Sequence, residues 1–376
     1  MHFLTASRTV SAGSAHGQDM TDNSEYIFIG GAARTGTTLL QSLICALPDT
    51  GAFLPESVPV KLLIDSFDKI AAHDERFNKV FFGEAGAEAA LKHALDGLLS
   101  NIQAEGSTRY KVLKHPAATP LFSDIGNLLG TRAHFICTLR DPRDAIASMV
   151  EWGRRASEQG RFHWFARRDT EKLCRYFLSF YGPVFAQKNS APITTVKYED
   201  LVAAPEATLS GFVSKLGYEP DVLSRENRTE WGTVDLSATG PVGDATSPLY
   251  GKDVSASRVG AHADILTETE IAEIEACCEE FMERFGYERS ATLKTSKGNL
   301  PLDRFIGLRG PLTQTVRTEE QKSLDRASQE ISLLTEQIAQ KEDENAKLRM
   351  AIKSSKSPLA LAIFIYTFIR RKLQKR

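Results

Sequence analysis

The sequence predicts an α/β fold, a three-layer parallel sheet carrying a phosphate-binding loop, with a C-terminal coiled-coil helix appended. Three observations predict it. Short, apolar, β-prone runs alternate with helical segments between about residues 25 and 290. The turn after the first such run is rich in Gly and Thr and opens straight into a helical pattern. Beyond Ser290 the composition changes to a linker and then to charged heptads.

The first strand is Tyr26 to Gly30, and Leu39 to Leu47 reads as the helix after it, stopped near Pro48 and Asp49. From Ser57 to Gln103 the pattern is helical and rich in Ala and Leu. Tyr110 to Leu113 and Ala133 to Leu139 are the second and third strands. Asp141 and Pro142 then suit an N-cap and a first helical turn. Ile193 to Lys197 is a fourth strand, and Pro205 to Leu216 a helix closed by Gly217. Residues 225–254 read as a long loop. Thr267 to Phe285 reads as one helix, with Thr267 and Glu270 as a capping box and Gly286 as its stop.

A net charge of −2 supplies no global field for nucleic acid, so none is expected as a partner. The cysteines are five, none in a Cys-x-x-Cys pair, which suits a reducing, cytoplasmic setting better than a disulfide scaffold or zinc site. Cys45 and Cys137 lie in apolar runs and read as core residues. Residues 1–24 read as a disordered arm without a signal-peptide core, with Met20 as an alternative start. The main domain is expected over 25–290 and a linker over 291–318.

A coiled coil is expected over 319–353. Leu324, Ile331, Ile338 and Ile352 mark one seam with Asn345 in it, and Leu334 and Leu348 mark the other. This pattern suits a parallel homodimer, the alternative being a single helix packed on its own domain. Residues 354–376 hold an apolar run that is too short to span a bilayer, followed by Arg370, Arg371, Lys372, Lys375 and Arg376. They read as a basic amphipathic helix for an anionic membrane surface, peripheral on the inner face, or as a helix docked on the protein.

Gly30 to Thr38 carries the chemistry. Its glycines permit a tight turn that aims backbone N–H groups inward, and the helix N-terminus adds partial positive charge. Thr37 and Thr38 add hydroxyls, and Arg34 adds a full charge. The spacing from Gly31 to Gly36 fits a P-loop, but Thr37 stands where the nucleoside-triphosphate version has Lys, which argues against an ATPase or GTPase. After the third strand, Arg140 with Ser148 two turns into the next helix offers a guanidinium fork and a hydroxyl suited to a second phosphate. No His/Cys/Asp cluster has metal-ligand spacing, so no metal is expected.

The run Ala32 to Leu40 resembles the 5′-phosphosulfate loop of sulfotransferases that use 3′-phosphoadenosine-5′-phosphosulfate (PAPS), with Ala33 and Thr35 at the usual Pro and Ser positions. The run Arg140 to Met149 is similar to that family's 3′-phosphate motif. The resemblance covers roughly residues 26–288. It implies PAPS as co-substrate, bound by Arg34, Thr35, Gly36, Thr37, Thr38, Arg140 and Ser148. Tyr198, in a segment running to Glu206, is implied to lie near the nucleotide. Ser257, Arg258 and Gly260 resemble the late loop over the 3′-phosphate, with Ala261 where members often have Arg.

Sulfo transfer needs a base, positive charge around the moving group and help for the departing phosphate. Glu56 resembles the base of tyrosylprotein sulfotransferases, with His115 as the alternative. Lys114, in a segment like the family's Lys-Ser-Pro, is implied to stabilise the leaving phosphate or the sulfo group, beside the Arg34 charge. A carbohydrate acceptor is expected, with a protein tyrosine as the alternative. A P-loop nucleotide phosphotransferase and a non-enzymatic scaffold are the less favoured readings.

Overall fold

A computed structural model describes residues 24–73, 75–83, 86–102, 108–160, 163–186, 192–223, 254–290 and 292–310. Within them, four parallel strands form one sheet in the order β2–β1–β3–β4. They are β1 (Glu25–Gly31), β2 (Tyr110–Lys114), β3 (Ala133–Leu139) and β4 (Ile193–Lys197). The chain leaves β1 for β2 on one side and then crosses to β3 on the other. The strand order therefore reverses between β1 and β3, and a ligand crevice is expected where their C-terminal ends diverge.

Helices cover both faces of the sheet. Ile27 and Ile29 pack against Leu40, Leu43 and Ile44 of α1 (Thr37–Ile44) and against Leu209, Phe212 and Val213 of the later helix Pro205–Lys215. On the other face Phe28 stacks on Phe135 at 5.6 Å, and Phe135 meets Phe122 at 4.8 Å. Each such apolar side chain contributes roughly 1.5–3 kcal/mol on full burial. Continuous burial along β1 follows from this double cover.

The helical stretch before β2 is three helices, α2 (Val58–Ala71), α3 (Glu75–Phe82) and α4 (Gly86–Ser100). The first helix begins and ends earlier than its apolar pattern suggests. Its freed carbonyls at Cys45 and Leu47 accept from the Thr50 hydroxyl, at 3.1 and 2.6 Å. α5 (Phe122–Leu129) precedes β3, and α6 (Pro142–Glu158) follows it with Asp141 as N-cap. α7 (Thr170–Phe185), α8 (Tyr198–Ala203), α9 (Pro205–Lys215) and α10 (His262–Ile265) come next.

The helix expected over Thr267–Phe285 has its capping box but is two helices, α11 (Glu268–Cys277) and α12 (Glu279–Phe285). A later segment causes the break. The Leu300 N–H donates to the Cys277 carbonyl at 2.9 Å, and Glu280 accepts from the Leu302 N–H at 2.9 Å.

All five cysteines are free thiols; Cys137 is in the core and Cys45 is half-buried against it. No helix among the described residues is long and apolar enough to cross a membrane. The N-terminal arm up to residue 23, most of the 225–254 loop, the coiled coil of 319–353 and the basic segment of 354–376 lie outside the described residues.

Candidate active site

The loop after β1 is shaped by two glycines in the left-handed region. Gly31 has φ +130°, and a Cβ there would collide with the Thr138 hydroxyl. Gly36 has φ +90°, and a Cβ there would lie 2.6 Å from the Tyr198 ring. Gly36→Ala combines a left-handed penalty of roughly 1–2 kcal/mol with displacement of that ring. Thermal unfolding of this variant is expected about 3 °C or more below wild type. An unchanged midpoint would show that the loop can rearrange freely.

The loop is braced from beneath. The Ala32 N–H donates to the Tyr181 hydroxyl at 3.1 Å, which itself donates to the Thr138 carbonyl at 2.9 Å. The Gly31 N–H donates to Thr119 Oγ1 at 2.9 Å. Thr35 is buried, and its hydroxyl donates to the Ala32 carbonyl at 2.7 Å and meets Thr138 Oγ1 at 2.7 Å. Thr35 therefore shapes the loop from inside, and the open donors are the uncapped first turn of α1 with Thr37 and Thr38.

The two strand-to-helix loops touch each other. Arg34, itself at φ +70°, donates from Nε to Ser148 Oγ at 3.2 Å. Arg140 is buried and donates from Nη1 to the Arg34 carbonyl at 2.9 Å and from Nη2 to the Arg258 carbonyl at 2.6 Å. Its guanidinium lies 4.3 Å from the centroid of the Tyr198 ring. Burial, then the charges of Arg155, Arg140 and Arg258, pull Arg34 down to about 10, with Glu151 partly offsetting them. Arg34 stays protonated at neutral pH, in a crowded positive site.

Two observations fit an anionic ligand there. Arg140 Nε and Arg155 Nε are buried donors without a hydrogen-bond partner among the described residues. Arg34 also stands among the charges of Arg155, Arg140 and Arg258, and the carboxylate that offsets it, Glu151, is already paired with Arg258 at 2.9 Å. A doubly charged phosphate suits that imbalance.

The segment from Arg258 to His262 lies against the same helix. Gly260 and His262 donate their N–H groups to the buried Asp144 carboxylate, at 2.7 and 3.0 Å. The Gly260 N–H thus points at α6. Ser257 is exposed, its N–H donating to Ser255 Oγ at 3.2 Å.

A second cluster stands at the C-terminal end of β2. Lys114 pairs across the sheet with Ile29, just before the phosphate loop. The Ser57 N–H donates to the Lys114 carbonyl at 2.9 Å, which ties the Glu56 segment to the strand end. Glu56 accepts from Lys114 Nζ at 2.9 Å and meets His115 Nδ1 at 3.2 Å. Burial pushes Glu56 up, but the His115 hydrogen bond and the Lys114 charge outweigh it and hold the carboxyl at about 2. The same carboxylate helps to raise the Tyr176 phenol of α7, after burial.

The geometry thus brings together Arg34, Arg140, Ser148, Tyr198 and Arg258 in one group, and Glu56, Lys114 and His115 in another. Reading the sequence did not single out Tyr181, Thr138, Thr119, Asp144 or Glu151. Asp144 lies inside the Arg140–Met149 motif, so its position was visible although its partners were not. No group of His, Cys, Asp and Glu among the described residues could hold a metal ion.

Residues 26–221 match a protein-family model described as Sulfotransferase family, and the chain belongs to that family. Its parallel α/β sheet with a P-loop-type turn is the fold expected from the sequence. Among solved structures it is similar to the sulfotransferase domain from the curacin biosynthetic pathway, at 18% identity and TM-score 0.45, covering 71% of this chain and 99% of that one. It is similar also to the sulfotransferase domain from the Synechococcus PCC 7002 olefin synthase, at 17% identity and TM-score 0.47, covering 71% and 96%. A third is a mouse sulfotransferase complexed with PAP, at 15% identity and TM-score 0.38, covering 70% and 85%. No curated protein matches.

Proposed function

We propose that this sulfotransferase takes its sulfo group from PAPS and delivers it to a carbohydrate hydroxyl. The observation that carries the donor is the junction of the two anion loops, where Arg34 reaches Ser148 and Arg140 holds the Arg34 carbonyl. A donor with phosphate groups at two ends matches two adjoining cradles; a nucleoside triphosphate, with one continuous chain, does not require the second. The first turn of α1 with Thr37 and Thr38 would hold the phosphosulfate end. Arg140, Ser148 and Arg258 would hold the 3′-phosphate, with Tyr198 beside them.

In the reaction the acceptor oxygen bonds to sulfur as the bond from sulfur to the phosphate oxygen breaks. The acceptor proton goes to Glu56, and the electron pair of the broken bond goes to the phosphate, where Lys114 offsets the charge. His115 orients Glu56 in this scheme. The resting Lys114–Glu56 pair keeps the carboxylate weakly basic. A donor that draws Lys114 toward its bridging oxygen would raise Glu56 and make it a better base.

Support for a sugar acceptor comes from an aromatic cluster beside Glu56. Trp164 and Phe165 each lie 5.5 Å from Tyr176, and Trp152 lies 5.8 Å from Phe165. Trp152, Trp164 and Tyr176 are half-buried, so each keeps exposed ring surface on which the C–H face of a sugar could stack. Transfer of radiolabelled sulfo group from PAPS to a panel of oligosaccharides and tyrosine peptides tests the acceptor. Label in the saccharides is the expected result; label confined to the peptides would overturn the sugar reading but keep the donor.

The C-terminal 319–376 region is proposed as a separate dimerising and membrane-targeting module. Truncation before Glu319 should leave turnover of a soluble acceptor within about two-fold and release the protein from anionic vesicles. Loss of donor binding in the truncated chain would show that the region belongs to the catalytic domain.

A further inference from the structure

We infer that Asp144 is a positioning residue that gives the site its preference for a nucleotide with a 3′-phosphate, by holding the Arg258 loop across Ser148. The inference rests on the donor reading proposed above. Asp144, Ser148 and Glu151 recur at helical spacing along α6 and so lie on one face of it. The loop is fastened to that face on both sides of Ser148. Asp144 accepts from the Gly260 N–H at 2.7 Å, from the His262 N–H at 3.0 Å and from His262 Nδ1 at 2.7 Å. Glu151 accepts from Arg258 Nη1 at 2.9 Å, one helical turn beyond Ser148. The segment 258–262 is thus tied to α6 at positions on either side of Ser148.

The anchoring chemistry is specific. Asp144 is 2% exposed, and its carboxylate is an acceptor only, facing three donors from one short segment. Gly260, at φ +74°, makes the turn that lets its own N–H and that of His262 converge on one carboxylate. The loop's third tie, from Arg140 to the Arg258 carbonyl, ends on the guanidinium proposed to grip the phosphate. Releasing the Asp144 end would leave Arg258 tethered only through flexible side chains. The α1 turn proposed for the phosphosulfate end is linked to this loop only indirectly, through Arg140 and the Arg34 carbonyl. The effect of the residue should therefore be confined to the 3′-phosphate.

Asp144→Asn keeps the side-chain volume and replaces one acceptor by an N–H₂ that opposes the backbone donors. The test compares full-length wild type and variant by calorimetry with 3′-phosphoadenosine-5′-phosphate and with adenosine 5′-monophosphate, which lacks only the 3′-phosphate. The variant is expected to bind the first about ten-fold more weakly, from loss of a charged hydrogen-bond partner, and the second within about two-fold of wild type. Trypsin is expected to cut after Arg258 faster in the ligand-free variant than in wild type. If Asp144→Asn does not fold, His262→Ala removes one of the three donors from the partly exposed side. It should shift the ratio of the two affinities in the same direction by about two-fold or more. Equal weakening of both nucleotides, or an unchanged ratio, would overturn the inference. A wild-type protein that does not distinguish the two nucleotides would instead overturn the donor reading on which it rests.

Discussion

Arg140→Ala is expected to weaken binding of 3′-phosphoadenosine-5′-phosphate by about 100-fold or more, because hydrogen bonds to charged groups contribute about 1.5–3 kcal/mol each. The guanidinium holds three things at once. It donates to the Arg34 carbonyl of one loop and the Arg258 carbonyl of another, and it lies over the Tyr198 ring. Its Nε is buried without a partner among the described residues, a donor that a ligand could use. Removing the side chain therefore takes away the proposed phosphate donor and also unties the loops that it joins. Arg140→Lys separates these two effects. It keeps the charge but loses the planar fork, so its affinity should fall between wild type and the alanine variant. Calorimetry with both variants checks this, and alanine-variant affinity within a few-fold of wild type would place the phosphate elsewhere.

Glu56→Gln is expected to lower kcat by about 10²–10⁴-fold, the usual contribution of a positioned base, while leaving donor affinity near wild type. The pH dependence adds a second readout. Burial raises Glu56, but His115 and Lys114 bring it from an ordinary 4.5 to about 2, so it is ionised throughout the neutral and mildly acidic range. This group should give no acid limb between pH 6 and pH 4 in kcat/KM for the donor, which reports the donor-free enzyme. Because its folded value is depressed, its contribution to stability is present above about 4.5 and fades as pH falls toward about 2. Lys114→Ala removes one of the two lowering partners. Its expected result is an upward shift of the Glu56 titration, observable by carboxyl NMR, together with slower turnover. Full activity in Glu56→Gln would pass the base role to His115.

How far such a site can be read from sequence depends on how local its causes are. β1 and β3 are covered on both faces, so each is a short continuous apolar run and stands out. Both anion loops are contiguous stretches at strand-to-helix junctions, where Gly, Thr and Arg have few other reasons to cluster. α7 was hidden for the opposite reason. Phe177 to Val184 are all buried, so the second half of the helix has no polar stripe to mark a 3.6-residue period, and Gly182 and Pro183 suggest a break. The interruption at Cys278 is set by Leu300 and Leu302, well outside the helical pattern it divides. Glu56 and Lys114 were each visible, but their ion pair joins a loop to the end of the edge strand β2, 58 residues away in sequence. Thr35 occupies a ligand-binding position of the resemblance, and its hydroxyl is turned into the loop, a placement set by Ala32 and Thr138 that the motif alone does not reveal.

The most direct test of the donor is calorimetric titration of the full chain with 3′-phosphoadenosine-5′-phosphate and, separately, with ATP. Micromolar binding of the first and binding at least about ten-fold weaker for the second is the predicted result, since the second cradle is proposed to read a phosphate that ATP lacks and Thr37 stands where ATP-binding loops have lysine. Equal affinity for the two, or tighter binding of ATP, would contradict it.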